Sequence, residues 1–277
     1  DGNIQRSTNG GKDWALVSKN IEGSPKNAWV PYLWVSPDGN ECWAVLNNYR
    51  QNDWNSYVYV TSDGGKTWKN TTEIQNIAFK DIHQEMGYVR CVLPLPNQSN
   101  LVFLGSDRGL WVSFNRGEKW HKWTQGFPSV PVSDLKFNPQ FNDLVVGTFG
   151  RGVWVFDDIR PLLRLNLPKL AQPNMPLEIL HVQDGYLARF MSNSGQRYQT
   201  ADLFGAPNKN TDVRIHLRLD SHLISPKKKI KLVGEIYDQQ GRRIRKHHFT
   251  LDTAGHHVIS WRMIQDGVRF PSHGNTQ

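Results

Sequence analysis

The residues of this chain with the best claim to chemistry are few. Asp157 and Asp158 form its one adjacent acidic pair in a strand-like context. Two carboxylates can divide acid and base roles in glycoside hydrolysis. Neighbours on a strand, however, point to opposite faces, and the pair sits where a strand run ends. Capping or ion pairing is the plainer role, and Asp157 and Asp158 are weak catalytic candidates. Arg151 lies between Gly150 and Gly152, in a turn that can aim a guanidinium inward. A structural bond to a carboxylate suits its fork equally well. His247-His248 and His256-His257 bring to mind a metal. Adjacent strand residues diverge, and no Cys or carboxylate stands at ligand spacing from them. No metal and no cofactor is expected.

Lys227, Lys228 and Lys229, with Arg242, Arg243, Arg245 and Lys246, form two basic runs. They belong to a strongly uneven charge distribution. Residues 1–160 carry 16 Lys+Arg against 16 Asp+Glu, while residues 161–277 carry 17 against 9. The entire excess of +8 therefore lies in the second part. A solvated basic surface accounts for it; the sharper alternative is contact with an anionic partner. No nucleic-acid-binding motif accompanies it, so no nucleic acid is expected. The two cysteines, Cys42 and Cys91, both fall in strand-like apolar runs and are expected as buried free thiols.

The elements that must position these residues announce themselves by repetition. Ser7-Thr8-Asn9-Gly10-Gly11-Lys12-Asp13-Trp14, Thr61-Ser62-Asp63-Gly64-Gly65-Lys66-Thr67-Trp68 and Ser113-Phe114-Asn115-Arg116-Gly117-Glu118-Lys119-Trp120 share one pattern. It is Ser/Thr-x-Asp/Asn-x-Gly-x-x-Trp, beginning at 7, 61 and 113, at intervals of 54 and 52. A fixed period of this size marks a propeller or solenoid. Turn chemistry explains every fixed position. The Asp or Asn accepts backbone N–H bonds and the Gly supplies a positive φ. The hydroxyl of Ser7, Thr61 or Ser113 ties the other side of the turn. The Trp opens the return strand and has a ring to bury between sheets. These twelve residues (Ser7, Asn9, Gly11, Trp14; Thr61, Asp63, Gly65, Trp68; Ser113, Asn115, Gly117, Trp120) are expected to be structural.

Strands between the boxes complete the units: Tyr32–Val35, Cys42–Leu46 and Tyr57–Val60, then Val89–Leu95, Leu101–Gly105 and Leu110–Ser113, then Val132–Asn138, Asp143–Gly147 and Gly152–Phe156. The expected fold is all-β: a partial Asp-box β-propeller of about three to four blades over 1–160, a linker over 161–205, and a small immunoglobulin-like β-sandwich over 206–277. The chain opens on the third strand of a blade and closes the propeller part without a fourth. The expectation is therefore a fragment of a longer protein, its ring completed by the rest of the same propeller or by another chain. No run of apolar residues is long enough for a transmembrane helix.

The boxes, with Asp134-Leu135-Lys136-Phe137-Asn138-Pro139 and Gly147-Thr148-Phe149-Gly150-Arg151-Gly152-Val153-Trp154-Val155-Phe156-Asp157-Asp158, resemble the sortilin/VPS10-like Asp-box (BNR-repeat) propellers of bacteria, often called glycosyl hydrolase-like. The box alone is shared with sialidases, xyloglucanases and photosystem-assembly propellers. Leu232-Val233-Gly234-Glu235-Ile236-Tyr237-Asp238-Gln239-Gln240-Gly241-Arg242 looks like the FlgD-type immunoglobulin-like module and like the sorting domain of type IX secretion cargo. The resemblance implies an extracytoplasmic protein, in the periplasm, at the cell surface or secreted. It also implies a non-catalytic propeller that binds protein or glycan. Two alternatives accompany that expectation: a glycoside hydrolase whose catalytic residues lie mostly upstream, and a secretion cargo or component of a surface assembly.

Overall fold

The computed structural model describes residues 2–72, 85–95, 98–165, 176–187, 209–223 and 229–266. The chain divides into two compact units, 1–159 and 160–277.

The first unit is a row of antiparallel sheets. β1 (Gln5–Arg6) and β2 (Ala15–Leu16) form a two-stranded ribbon. β3 (Trp29–Val35), β4 (Cys42–Asn48), β5 (Asp53–Thr61) and β6 (Lys69–Asn70) follow as a four-stranded meander in that order. β7 (Val89–Leu95), β8 (Gln98–Ser106), β9 (Gly109–Ser113) and β10 (His121–Lys122) repeat it. β11 (Val132–Asn138), β12 (Asp143–Thr148) and β13 (Val153–Phe156) form a three-stranded version. The first strands of successive sheets are neighbours: β7 packs against β3 on one side and β11 on the other. Short meanders standing side by side on their first strands are propeller blades, and the unit is a partial Asp-box β-propeller.

The core explains why these strands read as nearly continuous apolar runs. A sheet buried on both faces needs apolar residues at every position, not every second one. On β4, Trp43 and Val45 point into the core shared with the next blade, together with Val58, Val92, Leu104 and Trp111. Their sequence neighbours Ala44 and Leu46 point the other way, into a second core with Ile4, Ile21, Ala28 and Tyr59. The third blade is covered on one face only. There Trp154 and Phe156 meet Phe127, and Phe156 also meets Trp123, with ring centroids 5.1–5.9 Å apart. On its other face Val153 and Val155 are exposed.

Cys42 and Cys91 are buried free thiols, as their strand context suggests. Burial pushes the Cys42 thiol up to about 11, with the Glu41 carboxylate adding to the shift. Burial raises Cys91 further in the same direction.

The second unit holds, among its described residues, one α-helix, α1 (Arg160–Leu165), a 3-10 turn over Ser221–Leu223, and two antiparallel sheets. One sheet orders β14 (Leu177–Gln183), β15 (Val213–Leu219) and β18 (Gly255–Trp261); the other pairs β16 (Ile230–Tyr237) with β17 (Arg243–Leu251). Leu217, Leu219, Leu177 and Ile259 of the first meet Leu251, Ile230, Leu232 and Phe249 of the second in one cluster. One point differs from the sequence reading. The stretch 161–205 is not a linker throughout, because β14 lies within it and pairs along its length with β15. The prolines and polar residues around it hide a seven-residue strand whose apolar residues are spaced irregularly. The last strand, β18, does not continue the β16–β17 hairpin but crosses to the other sheet.

Candidate functional site

The three boxes occupy equivalent hairpins of successive sheets: between β1 and β2 of the ribbon, and between the third and fourth strands of the next two sheets, β5 and β6, β9 and β10. Their hydrogen bonds are superimposable in kind. The Ser7, Thr61 and Ser113 hydroxyls each donate to the side chain two residues on, at 3.0, 2.7 and 3.0 Å. Each hydroxyl also accepts from the backbone N–H of the box glycine, Gly11, Gly65 or Gly117, at 2.8, 2.9 and 2.8 Å. Asn9, Asp63 and Asn115 accept the N–H of Asp13, Thr67 and Lys119 at 3.0, 3.0 and 2.8 Å. Asp63 additionally accepts the Thr67 hydroxyl at 2.7 Å. Hydrogen bonding to the ionised form, from the Thr67 backbone first, holds the Asp63 carboxyl well below the usual range. The box glycines take φ of 88°, 85° and 83°, where a side chain is strained.

The boxes also set the spacing of the blades. A Cβ built on Gly65 would lie 2.9 Å from Val17 Cβ, and one on Gly117 would lie 2.9 Å from Thr71 Cβ. Val17 stands three residues after Trp14 and Thr71 three after Trp68, so each turn presses on the equivalent residue of the preceding blade. Trp120 is buried and donates its indole N–H to the Thr71 carbonyl at 3.1 Å. Trp14 is 61% exposed and its indole folds back on the Gly11 carbonyl at 3.0 Å. A related turn joins β3 to β4. There Ser36 donates to Asp38, Asp38 accepts the Asn40 N–H at 3.1 Å, and Trp43 follows Ser36 by seven residues as in a box. The hydrogen bond from Ser36 is the main cause of the lowered Asp38 carboxyl. Its glycine, Gly39, falls one place early, which conceals the likeness in the sequence.

All of this chemistry is consumed in folding, and the opposite end of the blades differs. The β4–β5 hairpin ends in a 3-10 turn over Tyr49–Gln51, closed by Asn52 at φ 59°. Asn48 and Asp53 face each other across it. The Tyr57 hydroxyl donates to Asp53 at 2.9 Å and the Asn55 N–H at 3.2 Å, which fixes the start of β5. This frame presents Tyr49 and Trp54 to Tyr88, which precedes β7. The ring centroids lie 5.1 Å apart for Tyr49–Tyr88, 5.8 Å for Trp54–Tyr88 and 6.1 Å for Tyr49–Trp54. Trp54 is 53% exposed, although water would favour folding such a ring inward. The Arg50 guanidinium lies 5.1 Å over Trp29 and 5.9 Å over Tyr49. Arg90 sits 5.1 Å over Tyr88, donates to its hydroxyl at 2.6 Å and pairs with Asp107 at 3.5 Å. Partial burial raises the Tyr88 hydroxyl despite the opposing pull of Arg90. The result is a contiguous aromatic rim, cation-edged, built from loops on rigid sheets.

The residues singled out from sequence are dispersed. Arg151 is exposed in the β12–β13 turn, where the Trp154 indole donates to its carbonyl at 3.1 Å. Asp158 is buried with φ 49°. Its N–H donates to Asp143 at 3.0 Å, and the next N–H, of Ile159, donates to the Asn142 carbonyl at 2.9 Å. Asp157 and Asp158 thus mark the terminus of the blade. In the second unit, Lys227 and Lys228 lie outside the described residues, and Lys229 is exposed. The other basic residues are matched locally: Arg242 with Asp238 at 2.7 Å, Arg243 with Glu235 at 3.3 Å, Arg245 with Asp266 at 2.9 Å, and Lys246 with Glu235 at 3.8 Å. His256 stacks on His216, with Nδ1 of His216 3.0 Å from Nε2 of His256. His181 stands beside His216, their ring centroids 6.3 Å apart. Burial, then His257 and Arg214, lowers the His256 ring. Among the described residues no group of three His, Cys, Asp or Glu is arranged to hold a metal ion.

Sequence reasoning passed over Trp29, Tyr49, Trp54 and Tyr88, as well as His181 and His216. The available signal for the rim was a Tyr-Arg-Gln-Asn-Asp-Trp run in a connection, where aromatics have no core to enter.

Comparison with known proteins matches residues 59–70 to the BNR/Asp-box repeat, which is the second box. No curated protein matches the chain. Among solved structures, the chain is similar to YCF48 bound to a D1 peptide, at 15% identity over 56% of this chain and 43% of that one, with a TM-score of 0.39. It is similar to an ancestral GH74 enzyme at 14% identity, over 90% of this chain and 30% of that one, with a TM-score of 0.40. It is also similar to the GH74 xyloglucanase from Xanthomonas campestris at 15% identity, over 68% of this chain and 27% of that one, with a TM-score of 0.33. The chain spans less than half the length of each of these three.

Proposed function

We propose that the chain is part of an extracytoplasmic, non-catalytic propeller that binds a glycan or protein ligand on the rim opposite the Asp-boxes. The observation that carries this reading is the Tyr49–Trp54–Tyr88 cluster, in which Trp54 is exposed and the two tyrosines are half-buried, with centroids 5.1–6.1 Å apart. Exposed, pre-oriented rings give contact area at little entropic cost and are favoured where ligands dock. A glycan is the better fit of the two ligands. The exposed Trp54 is flanked by the exposed amides of Asn52 and Asn55, a pairing of ring face and hydrogen-bonding groups that suits a sugar.

Acid–base catalysis finds less support. A general acid for glycoside hydrolysis needs its carboxyl raised. The displaced carboxyls among the described residues, Asp38, Asp63, Glu235 and Asp238, all move downward. Asp53 and Asp107, the carboxylates nearest the rings, are engaged with Tyr57 and Arg90. The second unit is read as an immunoglobulin-like module of a surface or secretion assembly, on its resemblance to such modules. Arg242, Arg243, Arg245 and Lys246 have carboxylates beside them, while the unit keeps the chain's whole excess of positive charge, which supports contact with an anionic partner.

The test is a glycan panel probed with the full chain and with Trp54→Ala. Binding weakened about tenfold or more by the substitution, with no release of reducing ends, is expected. Turnover of any glycan overturns the non-catalytic reading. Binding indifferent to Trp54→Ala and Tyr88→Ala removes the rim from it. Periplasmic or surface recovery on fractionation is the expected location, and a wholly cytoplasmic protein refutes that part.

A further inference from the structure

The rim runs into a cavity that nothing above has used. It is an open recess of about 730 Å³ lined by Lys19, Lys26 and Arg50, the Trp29 ring, and the amides of Asn3, Asn27 and Gln51 among others. Its described lining contains three cations and no carboxylate. The contrast with the second unit is direct, since there each arginine of β17 has a carboxylate partner. No described carboxylate pairs with Arg50, Lys19 or Lys26. Such a recess attracts anions.

Arg50 joins the cavity to the rim, because it lies over both Trp29 and Tyr49. Stacking on two rings holds the planar guanidinium in place, so less freedom is lost when its fork meets a carboxylate. The remaining polar lining is mostly amide and hydroxyl. An amide offers donors and an acceptor together, which matches a ligand rich in hydroxyls, each of them donor and acceptor. The volume falls in the range of small-molecule sites, enough for a short run of sugar rings.

Resting on the glycan reading of the rim, we propose that the cavity takes the carboxylate of a uronic acid residue, and that the ligand is an anionic polysaccharide. Arg50 makes the carboxylate contact, Lys19 and Lys26 supply the positive field, and the polymer continues across Tyr49 and Trp54.

The experiment measures binding of the full chain to polygalacturonate, to its fully methyl-esterified form and to polyglutamate, by calorimetry at fixed salt. Polygalacturonate is expected to bind at least about tenfold tighter than the ester, the usual scale for one charge-assisted contact. Arg50→Gln is expected to erase that preference and Arg50→Lys to keep part of it. Trp54→Ala should weaken both sugar polymers alike. Arg50 is exposed, and unchanged thermal melting of the variants confirms that they fold. Equal binding of acid and ester overturns the anionic inference and leaves the rim reading standing. Polyglutamate bound as tightly as polygalacturonate overturns the saccharide class. If neither sugar polymer binds, the inference falls, and the rim reading is decided separately by Trp54→Ala on the neutral panel. Selectivity that survives Arg50→Gln removes the cavity from the proposal.

Discussion

Replacing Gly117 with alanine tests the claim that the box turns set the distance between blades. Two costs combine there. At φ 83° an L side chain occupies the left-handed region, at a cost of about 1–2 kcal/mol. The new methyl would also stand 2.9 Å from Thr71 Cβ and 3.2 Å from Trp43 Cη2, both in buried residues. Overpacking of a filled site costs about 1–3 kcal/mol more, so Gly117→Ala should lose about 2–5 kcal/mol in all. Gly10 is the internal control. It has a similar φ of 72° and nothing within 4 Å of a built Cβ, so Gly10→Ala should lose only the strain, about 1–2 kcal/mol. Urea unfolding followed by tryptophan fluorescence measures both, and an unchanged slope licenses the comparison. Losses equal within about 0.5 kcal/mol would show that the blade contact contributes nothing, and the account of blade spacing would fail.

The boxes yield a second comparison. Trp120→Ala, which removes a buried ring and its bond to Thr71, should cost about 3–5 kcal/mol, whereas Trp14→Ala at an exposed ring should cost about 0.5 kcal/mol or less; equal costs in the same urea titration would contradict the assigned environments. Asp63 has its carboxyl lowered by hydrogen bonds to the ionised form. Its stabilising contribution is therefore full above the unfolded value of about 4 and is lost as pH falls through the lower folded value. Asp63→Asn, which copies the residue of the other two boxes, should fold and show a shallower loss of stability on acidification below about pH 4; an unchanged acid profile would refute the assignment. Cys42 and Cys91 are buried with raised thiols, so a disulfide reagent at neutral pH should label neither in the folded protein and both in urea. Rapid labelling of the folded chain would place a thiol at the surface.

The blades were legible in the sequence because their rules are local. Hydroxyl, amide and glycine positions in a box meet one another within a few residues, so spacing alone reveals them. Strands buried on both faces show up as unbroken apolar runs such as Cys42-Trp43-Ala44-Val45-Leu46. The third unit was equally visible through its strand runs Val132–Asn138, Asp143–Gly147 and Gly152–Phe156. The rim was not legible, because Tyr88 and Tyr49 lie far apart in the chain and meet only when β7 packs beside β3 and β4. β14 was missed for a related reason. Its pattern is blurred by a register shift between Ile179 and His181, and its partner strand begins thirty residues after it ends. The ion pairs of the second basic run were not legible either, since Glu235 lies on the facing strand and Asp266 beyond the last one.

The contact of Gly65 and Gly117 with the residue three places after the previous tryptophan has a bearing on how such a chain can lengthen. Both halves of the joint, the bare backbone that receives and the side chain that presses, are carried within a single unit of just over fifty residues. A duplicated unit therefore brings its own docking geometry at both ends and can be spliced between existing neighbours without new adjustments elsewhere. Growth by copying is built into the turn, whereas any loop on the far rim can diverge freely from one copy to the next.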